Sequence, residues 1–306
     1  MSHILVIGAA SVDVKGRAHT ELQPGTSVPG DVTVSFGGVG RNVAENLARL
    51  GQPTILLSVV GRDPFGAQIL ERTSSAGVDV SKVIISPDYH SAAYIAVLDE
   101  EGGQAFAVDE MDIMELVTPA HIYAHRKLFK GAAMLVLDAN LSAEALASAT
   151  RIAGRYKVPV ALDPTSATLA PKLKDHLADL AMIMPNVPEA EVLCGHLIPG
   201  RRAAMAAAQE LVGLGVEIAI ITLAEEGLCY ATSRESGYLP AIRCKVVDFT
   251  GAGDALTAAV VYGLVNGFPI GEAVRLGISA ATLTLKCADT VCLDLSLERL
   301  YDQLVI

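Results

Sequence analysis

The string Asp248-Phe249-Thr250-Gly251-Ala252-Gly253-Asp254 sets two glycines between two carboxylates, and an Ala-rich stretch, residues 255–263, follows it. Glycine permits a tight backbone turn, and the Ala-rich stretch predicts a helix from that point. The first N–H groups of a helix have no internal partner, so together with the helix dipole they form an anion hole. Gly251, Ala252 and Gly253 would supply those amides. A carboxylate beside the hole, here Asp254, could take the proton of a hydroxyl attacking the bound anion. By residue type alone, Asp254 reads equally well as a cap on the helix. The complete string is far more specific than a lone glycine pair.

Residues 37–51 hold a second glycine-rich turn, Gly37-Gly38-Val39-Gly40-Arg41-Asn42, that also runs into a helical pattern. It lacks the GxGxxG spacing of dinucleotide sites, and no G-x-x-x-x-G-K-[ST] occurs in the chain. Its glycines would let a substrate approach the backbone, with Asn42 bridging two hydroxyls. The plainer reading is a turn and a helix start, with Val43, Leu47 and Leu50 as the core face. Asp13 directly follows the first apolar run, where open α/β sheets bind ligands. A carboxylate there accepts two hydroxyl protons in fixed geometry; as a structural residue it would only shape a turn.

Short apolar runs at 4–7, 54–59, 134–137, 158–162, 182–184 and 218–222 alternate with helical patterns such as 43–50, 143–156 and 202–214. The runs are continuous, as in strands buried on both faces, and predict an α/β chain with a mostly parallel sheet between helices. No linker or repeat divides the 306 residues, so one domain is expected. Segments of about 12–36 and 91–108 break the alternation. They read as a small antiparallel β-sheet lid or, on the same residues, as ordinary edge hairpins.

The net charge is −11, from 23 basic and 34 acidic residues. That argues against nucleic-acid polymers and anionic membranes as partners. At 51% apolar, the chain is too hydrophobic for a disordered segment. Its apolar stretches are shorter than the roughly 18 residues of a spanning helix. The first residues run straight into a strand pattern, so no signal peptide is expected. Five cysteines with no CxxC predict reduced thiols in a cytoplasmic protein, with Cys194 and Cys292 acting as small hydrophobes.

The two glycine turns, in this order and about two hundred residues apart, resemble the paired signatures of the PfkB carbohydrate kinases, also called ribokinase-like kinases. The resemblance spans essentially the whole chain. It implies a three-layer α/β/α fold with a small β-sheet lid, and transfer of the ATP γ-phosphoryl to a sugar hydroxyl, a ribose 5′-hydroxyl above all. Asp254 would be the base. Asn186-Val187-Pro188-Glu189 matches the family's N-x-x-E motif, so Asn186 and Glu189 would orient Mg²⁺ through waters. Thr222-Leu223-Ala224-Glu225-Glu226-Gly227 resembles the family's nucleotide loop, with Ala224 in place of a usual glycine. Residues 286–291 resemble its adenine and monovalent-cation loop, where Cys287 replaces a glycine and Asp248 would add a carboxylate for K⁺.

Within the family, the finer resemblance is to the pseudouridine kinase group, carried by residues 8–16, 37–51, 109–113, 160–166 and 235–238. It implies Ser11, Asp13, Gly38, Arg41, Asn42, Asp109, Met111, Asp112 and Asn140 as substrate-binding, with Asp13 and Asn42 on the ribose diol and Asp109, Met111 and Asp112 near the base. Other sugar or nucleoside kinases (ribokinase, fructokinase, adenosine kinase) are the alternatives. A non-catalytic sensor of sugars or nucleosides is the alternative of a different class. Exposed apolar faces on a lid suggest a homodimer formed through it.

Overall fold

The first strand, β1 (His3–Ile7), shows how the fold is built, because residues 4–7 are wholly buried. Leu5 and Ile7 pack into one apolar cluster, whereas Ile4 and Val6 pack into another. Alternate side chains leave opposite faces of a strand, so a strand whose residues 4–7 are all apolar needs a layer on each side. The computed structural model describes residues 2–304.

The strands after β1 are β2 (Ser11–Ala18), β3 (Gly30–Gly37), β4 (Thr54–Leu57), β5 (Val59–Gly61), β6 (Ile84–Ser86), β7 (Ala92–Leu98) and β8 (Gln104–Glu110). They continue with β9 (Ala132–Asp138), β10 (Val160–Asp163), β11 (Met182–Ile183), β12 (Ile218–Thr222), β13 (Leu228–Thr232) and β14 (Ser236–Leu239). The helices are α1 (Val39–Arg49), α2 (Pro64–Ser75), α3 (Pro119–Ala124), α4 (Ala143–Tyr156) and α5 (Val187–Cys194). The C-terminal ones are α6 (Gly200–Gly213), α7 (Ala252–Val265), α8 (Ile270–Leu285) and α9 (Leu297–Leu304).

Eight strands form the central sheet in the order β14-β13-β12-β11-β10-β9-β1-β4. All its pairs are parallel except those that β13 makes. One face is covered by α4 and α6, through Leu146, Ala149, Ala207 and Leu211. The other is covered by α1, α7 and α8, through Val43, Leu47, Val260 and Val274. This is the three-layer α/β/α arrangement with a mostly parallel sheet. Among the described residues, no helix is long and apolar enough to cross a membrane.

The two irregular segments pair as a separate four-stranded sheet, ordered β3-β2-β7-β8. It is not wholly antiparallel, as the sequence suggested. Each segment forms its own antiparallel hairpin, but the outgoing strands β2 and β7 meet in parallel, Ser11 opposite Ala92 and Arg17 opposite Leu98. One face carries the row Ser35, Asp13, Tyr94 and Asp109. The other carries Val34, Val14, Ile95 and Val108, with Val32, Gly16, Val97 and Phe106 in a second row. Two further expectations change. The run at 54–59 splits at Ser58, because β5 leaves the main sheet to pair with β6. Cys287 and Cys292, expected as separate thiols, are a disulfide, since the turn after α8 brings their Cα atoms to 5.7 Å.

Candidate active site

Carboxylates gather where the parallel strands end. Asp138 and Asp163 are the last residues of β9 and β10 and are register partners. Asp13 follows β1 by way of the chain's turn into β2. Asp138 and Asp163 each follow a run of apolar residues that pins the strand in the core, so these acids are held at the C-terminal ends of interior strands, where open α/β folds bind ligands. Sequence reasoning had not singled out Asp138 and Asp163 as site residues. The signal was there, because each is the acid that ends a wholly apolar strand.

Asp138 organises the first glycine turn. Its Oδ2 accepts from the amides of Ala9 at 2.7 Å and Gly40 at 2.9 Å, and its Oδ1 accepts from Asn140 N at 3.0 Å. A Cβ on Gly8 would collide with this carboxylate, and one on Gly40 would collide with Gly8. Gly38, at φ +88°, has no room for a side chain against Ala9 and Ala10. The turn is therefore glycine-rich so that β1, the start of α1 and Asp138 can close on one another. Asn140 stays beside Asp138, two residues past the end of β9.

Asp254 lies in the first turn of α7, which starts from Gly251 in the left-handed conformation, φ +81°. A Cβ on Gly251 would overlap the Thr290 carbonyl, whereas Gly253 faces open space. Asn42 Nδ2 donates to Asp254 Oδ2 at 2.7 Å. The Asn42 amide cannot flip, since Arg41 Nη1, which can only donate, lies 2.9 Å from its Oδ1. Burial above all, then Asp138 and Asp13, push the Asp254 carboxyl up to about 7, although the Asn42 bond pulls the other way. Burial, then Asp254 and Glu189, raise Asp163 well above the usual carboxylate range.

Two of the sequence expectations are displaced. Arg41, expected on the substrate, is fully buried behind Asn42. Its guanidinium donates to Glu45, to the Phe36 carbonyl at 2.6 Å and to Asn42, and Glu45 also takes Arg49 at 2.7 Å. Glu45 stands one helical turn on from Arg41, and a buried arginine needs such partners. Asn42, expected on two hydroxyls, has its amide nitrogen engaged by Asp254.

Ser11 Oγ donates to Asp13 Oδ1 at 3.0 Å, and burial raises the Asp13 carboxyl. Asp13 shares the small sheet's polar face with Asp109, which is exposed on β8. Met111 packs against the main core, and Asp112 opens a short 3-10 turn. Among the described residues, no hydrogen bond joins Asp109 or Asp112 to Asp13 or Asp254.

On the other side of α7 lies an open groove of about 900 Å³. Ala252 and Gly253 line it, as do Asn186, Thr222, Ala224 and Gly227. Asn186 and Glu189 form a capping box on α5. Asn186 Oδ1 accepts from Glu189 N at 3.0 Å, and Glu189 Oε2 accepts from Asn186 N at 2.9 Å. Ala224 holds the left-handed conformation, φ +50°, that a glycine would adopt without cost. Phe249 projects into the same groove margin and is 76% exposed. Asp248, expected at a monovalent cation, has both oxygens on the Lys15 ammonium, at 2.6 and 2.8 Å.

The model of the pfkB family carbohydrate kinases matches residues 1–294. Pseudouridine kinase of Escherichia coli (strain K12) is 36% identical over 296 residues, 96% of this chain and 94% of that protein. Guanosine-inosine kinase of Exiguobacterium acetylicum is 30% identical, over 92% of this chain and 93% of that one. Arabidopsis thaliana ribokinase, solved with ribose and ATP, superposes with a TM-score of 0.88 over 100% of this chain and 99% of its own. Its identity is 21%, so that likeness is one of fold. A family match along nearly the whole chain, joined to strand-end carboxylates and two glycine turns that meet at Asp254, leads to one conclusion: the chain belongs to the pfkB family of carbohydrate kinases.

Proposed function

We propose that this kinase moves the γ-phosphoryl of ATP to the 5′-hydroxyl of a ribonucleoside, with pseudouridine as the acceptor. One observation carries the reading. Asp254 is bonded to Asn42 of the first glycine turn and directly follows Ala252 and Gly253, which line the groove. A base so placed can reach an acceptor hydroxyl while the amides beside it face a phosphate. The pseudouridine assignment leans on the relative of that activity and on the lid's polar row of Asp13 and Asp109.

Phosphoryl transfer needs alignment and charge stabilisation more than covalent chemistry. Asp254, lifted to about 7, is poised to accept a proton near neutral pH. The amides of Gly251, Ala252 and Gly253 stabilise charge developing on the transferred group. Asp13 and Ser11 receive the ribose hydroxyls where Gly38 lets the sugar approach, and Arg41 holds Asn42 in place from behind. Asp109, Met111, Asp112 and Asn140 surround the base. Thr222, Ala224 and Gly227 take the nucleotide.

Asp254 and Glu189 each raise the Asp163 carboxyl, and carboxylates are the ligands a hard divalent cation takes. Mg²⁺ there would neutralise phosphate charge, held through water by Asn186 and Glu189, whose side chains are already committed to capping α5. Asp248 is met by Lys15, so the reading assigns it no potassium. The lid's exposed Val32, Val34, Phe106 and Val108 suit pairing with a second copy, and a homodimer through this face is part of the proposal. A sensor would have no use for the base or the carboxylates. ADP release measured with pseudouridine, uridine, adenosine, ribose and fructose tests the reading. Pseudouridine should give the highest kcat/KM, and preference for a free sugar would overturn the acceptor assignment.

A further inference from the structure

Lys15 lies two residues beyond Asp13 on β2 and so on the same polar face of the lid. Its ammonium has three protons and finds three acceptors in one turn of the main domain. It donates to Asp248 Oδ1 at 2.8 Å, to Asp248 Oδ2 at 2.6 Å and to Thr250 Oγ1. Asp248 Oδ1 also accepts from Thr250 N at 2.8 Å, which closes the turn that delivers Gly251 to the start of α7. The pair is largely shielded, with side-chain exposures of 11% for Lys15 and 25% for Asp248. One side chain therefore joins the strand that carries Asp13 to the turn that carries the phosphate-facing amides, 233 residues away.

We infer that Lys15 is a positioning residue that couples the two substrates, so that an acceptor held at Asp13 tightens the hold of residues 251–253 on the nucleotide. The inference rests on the function proposed above. The physical argument is about what separation of the lid would leave behind. Without Lys15, Asp248 would keep a shielded carboxylate with no cation on it, which costs more than an exposed pair ever returns. Thr250 would lose the donor at its hydroxyl, and the turn would be held by Asp248 alone. Ligands that favour the joined arrangement therefore favour each other, and coupling of this kind is reciprocal. Lysine fits this task because its ammonium is a point charge that serves three acceptors at once.

The test compares wild type, Lys15→Met and Lys15→Arg. Affinity for the magnesium complex of a non-hydrolysable ATP analogue is measured by calorimetry with and without saturating pseudouridine. Wild type should bind the analogue about fivefold tighter with the acceptor present, within the usual range of coupling. Lys15→Met should reduce that factor to about one, and Lys15→Arg should restore most of it. Equal coupling in wild type and Lys15→Met, or none in wild type, overturns the inference.

Amide hydrogen exchange of the free proteins gives a second arm that needs no substrate. Lys15→Met should speed exchange both in β2–β3 and in residues 248–253, with α4 and α6 unchanged. Unchanged exchange in either segment overturns the inference even if pseudouridine proves not to be the acceptor. Failure of wild type to bind any nucleoside would instead sink the functional reading.

Discussion

Asn42 Nδ2 donates to Asp254 Oδ2 at 2.7 Å and so joins two glycine turns that stand 212 residues apart in the chain. The orientation is imposed from behind by Arg41, itself locked to Glu45 inside α1. A helix-internal ion pair thus sets which atom of Asn42 meets the proposed base.

The first prediction concerns pH. Asp254 must be ionised to accept a proton, and its carboxyl is lifted to about 7, chiefly by burial. The kcat/KM of the enzyme should therefore rise with pH through about 7. The Asn42 bond favours the ionised form, so Asn42→Ala should move this limb to higher pH and lower the plateau. A limb that stays in place in the variant would separate Asn42 from the titration of the base.

A second prediction follows from linkage. The folded-state pKa of Asp254 lies above its ordinary value of 3.8. The group's favourable contribution is therefore complete below about pH 4 and is lost as pH rises through about 7. At pH 8 the wild type carries the cost of a buried charge. Asp254→Asn removes that cost and should stabilise the protein by about 1–2 kcal/mol at pH 8, part of what roughly 1.4 kcal/mol per pH unit allows. The gain should shrink towards pH 5. Urea unfolding at the two pH values checks it, and a less stable variant at pH 8 would contradict it.

The two glycines of the anion turn should respond differently. Gly251→Ala meets the Thr290 carbonyl at φ +81° and should cost about 3 kcal/mol or prevent folding. Gly253 faces open space in the groove, so Gly253→Ala should keep the wild-type Tm and weaken nucleotide binding at least severalfold. Calorimetry with an ATP analogue reads the second effect. Undiminished affinity would remove the groove beside Gly253 as the phosphate site.

Ala224 keeps a left-handed φ of +50° where only glycine is at ease. Ala224→Gly should raise stability by roughly 1 kcal/mol, the usual cost of that conformation for a side-chain-bearing residue. Nucleotide affinity should stay within about twofold, because the backbone already has the glycine-like shape. Loss of stability on this change would mean that the Ala224 methyl packs usefully.

Much of this was legible in the sequence, for physical reasons that can be named. Continuous apolar runs such as residues 4–7, too short for helices, read as strands with a layer on each face, and the helical spacing of Val43, Leu47 and Leu50 marked α1. The glycine string before Asp254 marked its helix start. The pairing of the lid was less legible, because a parallel meeting of β2 with β7 leaves no local trace in either hairpin. Arg41 misled because the chemistry of a guanidinium suits a ligand as well as a buried Glu45, and only the three-dimensional burial decides. Lys15 gave no sign at all, since Asp248 lies far along the chain. A chain of net charge −11 would hold ATP through helix-start amides and Mg²⁺, not through a cluster of fixed side-chain cations.

The most direct test of the account is single-turnover phosphoryl transfer from ATP to pseudouridine by Asp254→Asn. Transfer should fall by at least about 10³-fold, a base contributing roughly 10²–10⁴, while affinity for the nucleotide stays within a few-fold of wild type. Transfer at the wild-type rate would contradict the account, because no proton acceptor would then be needed at Asp254.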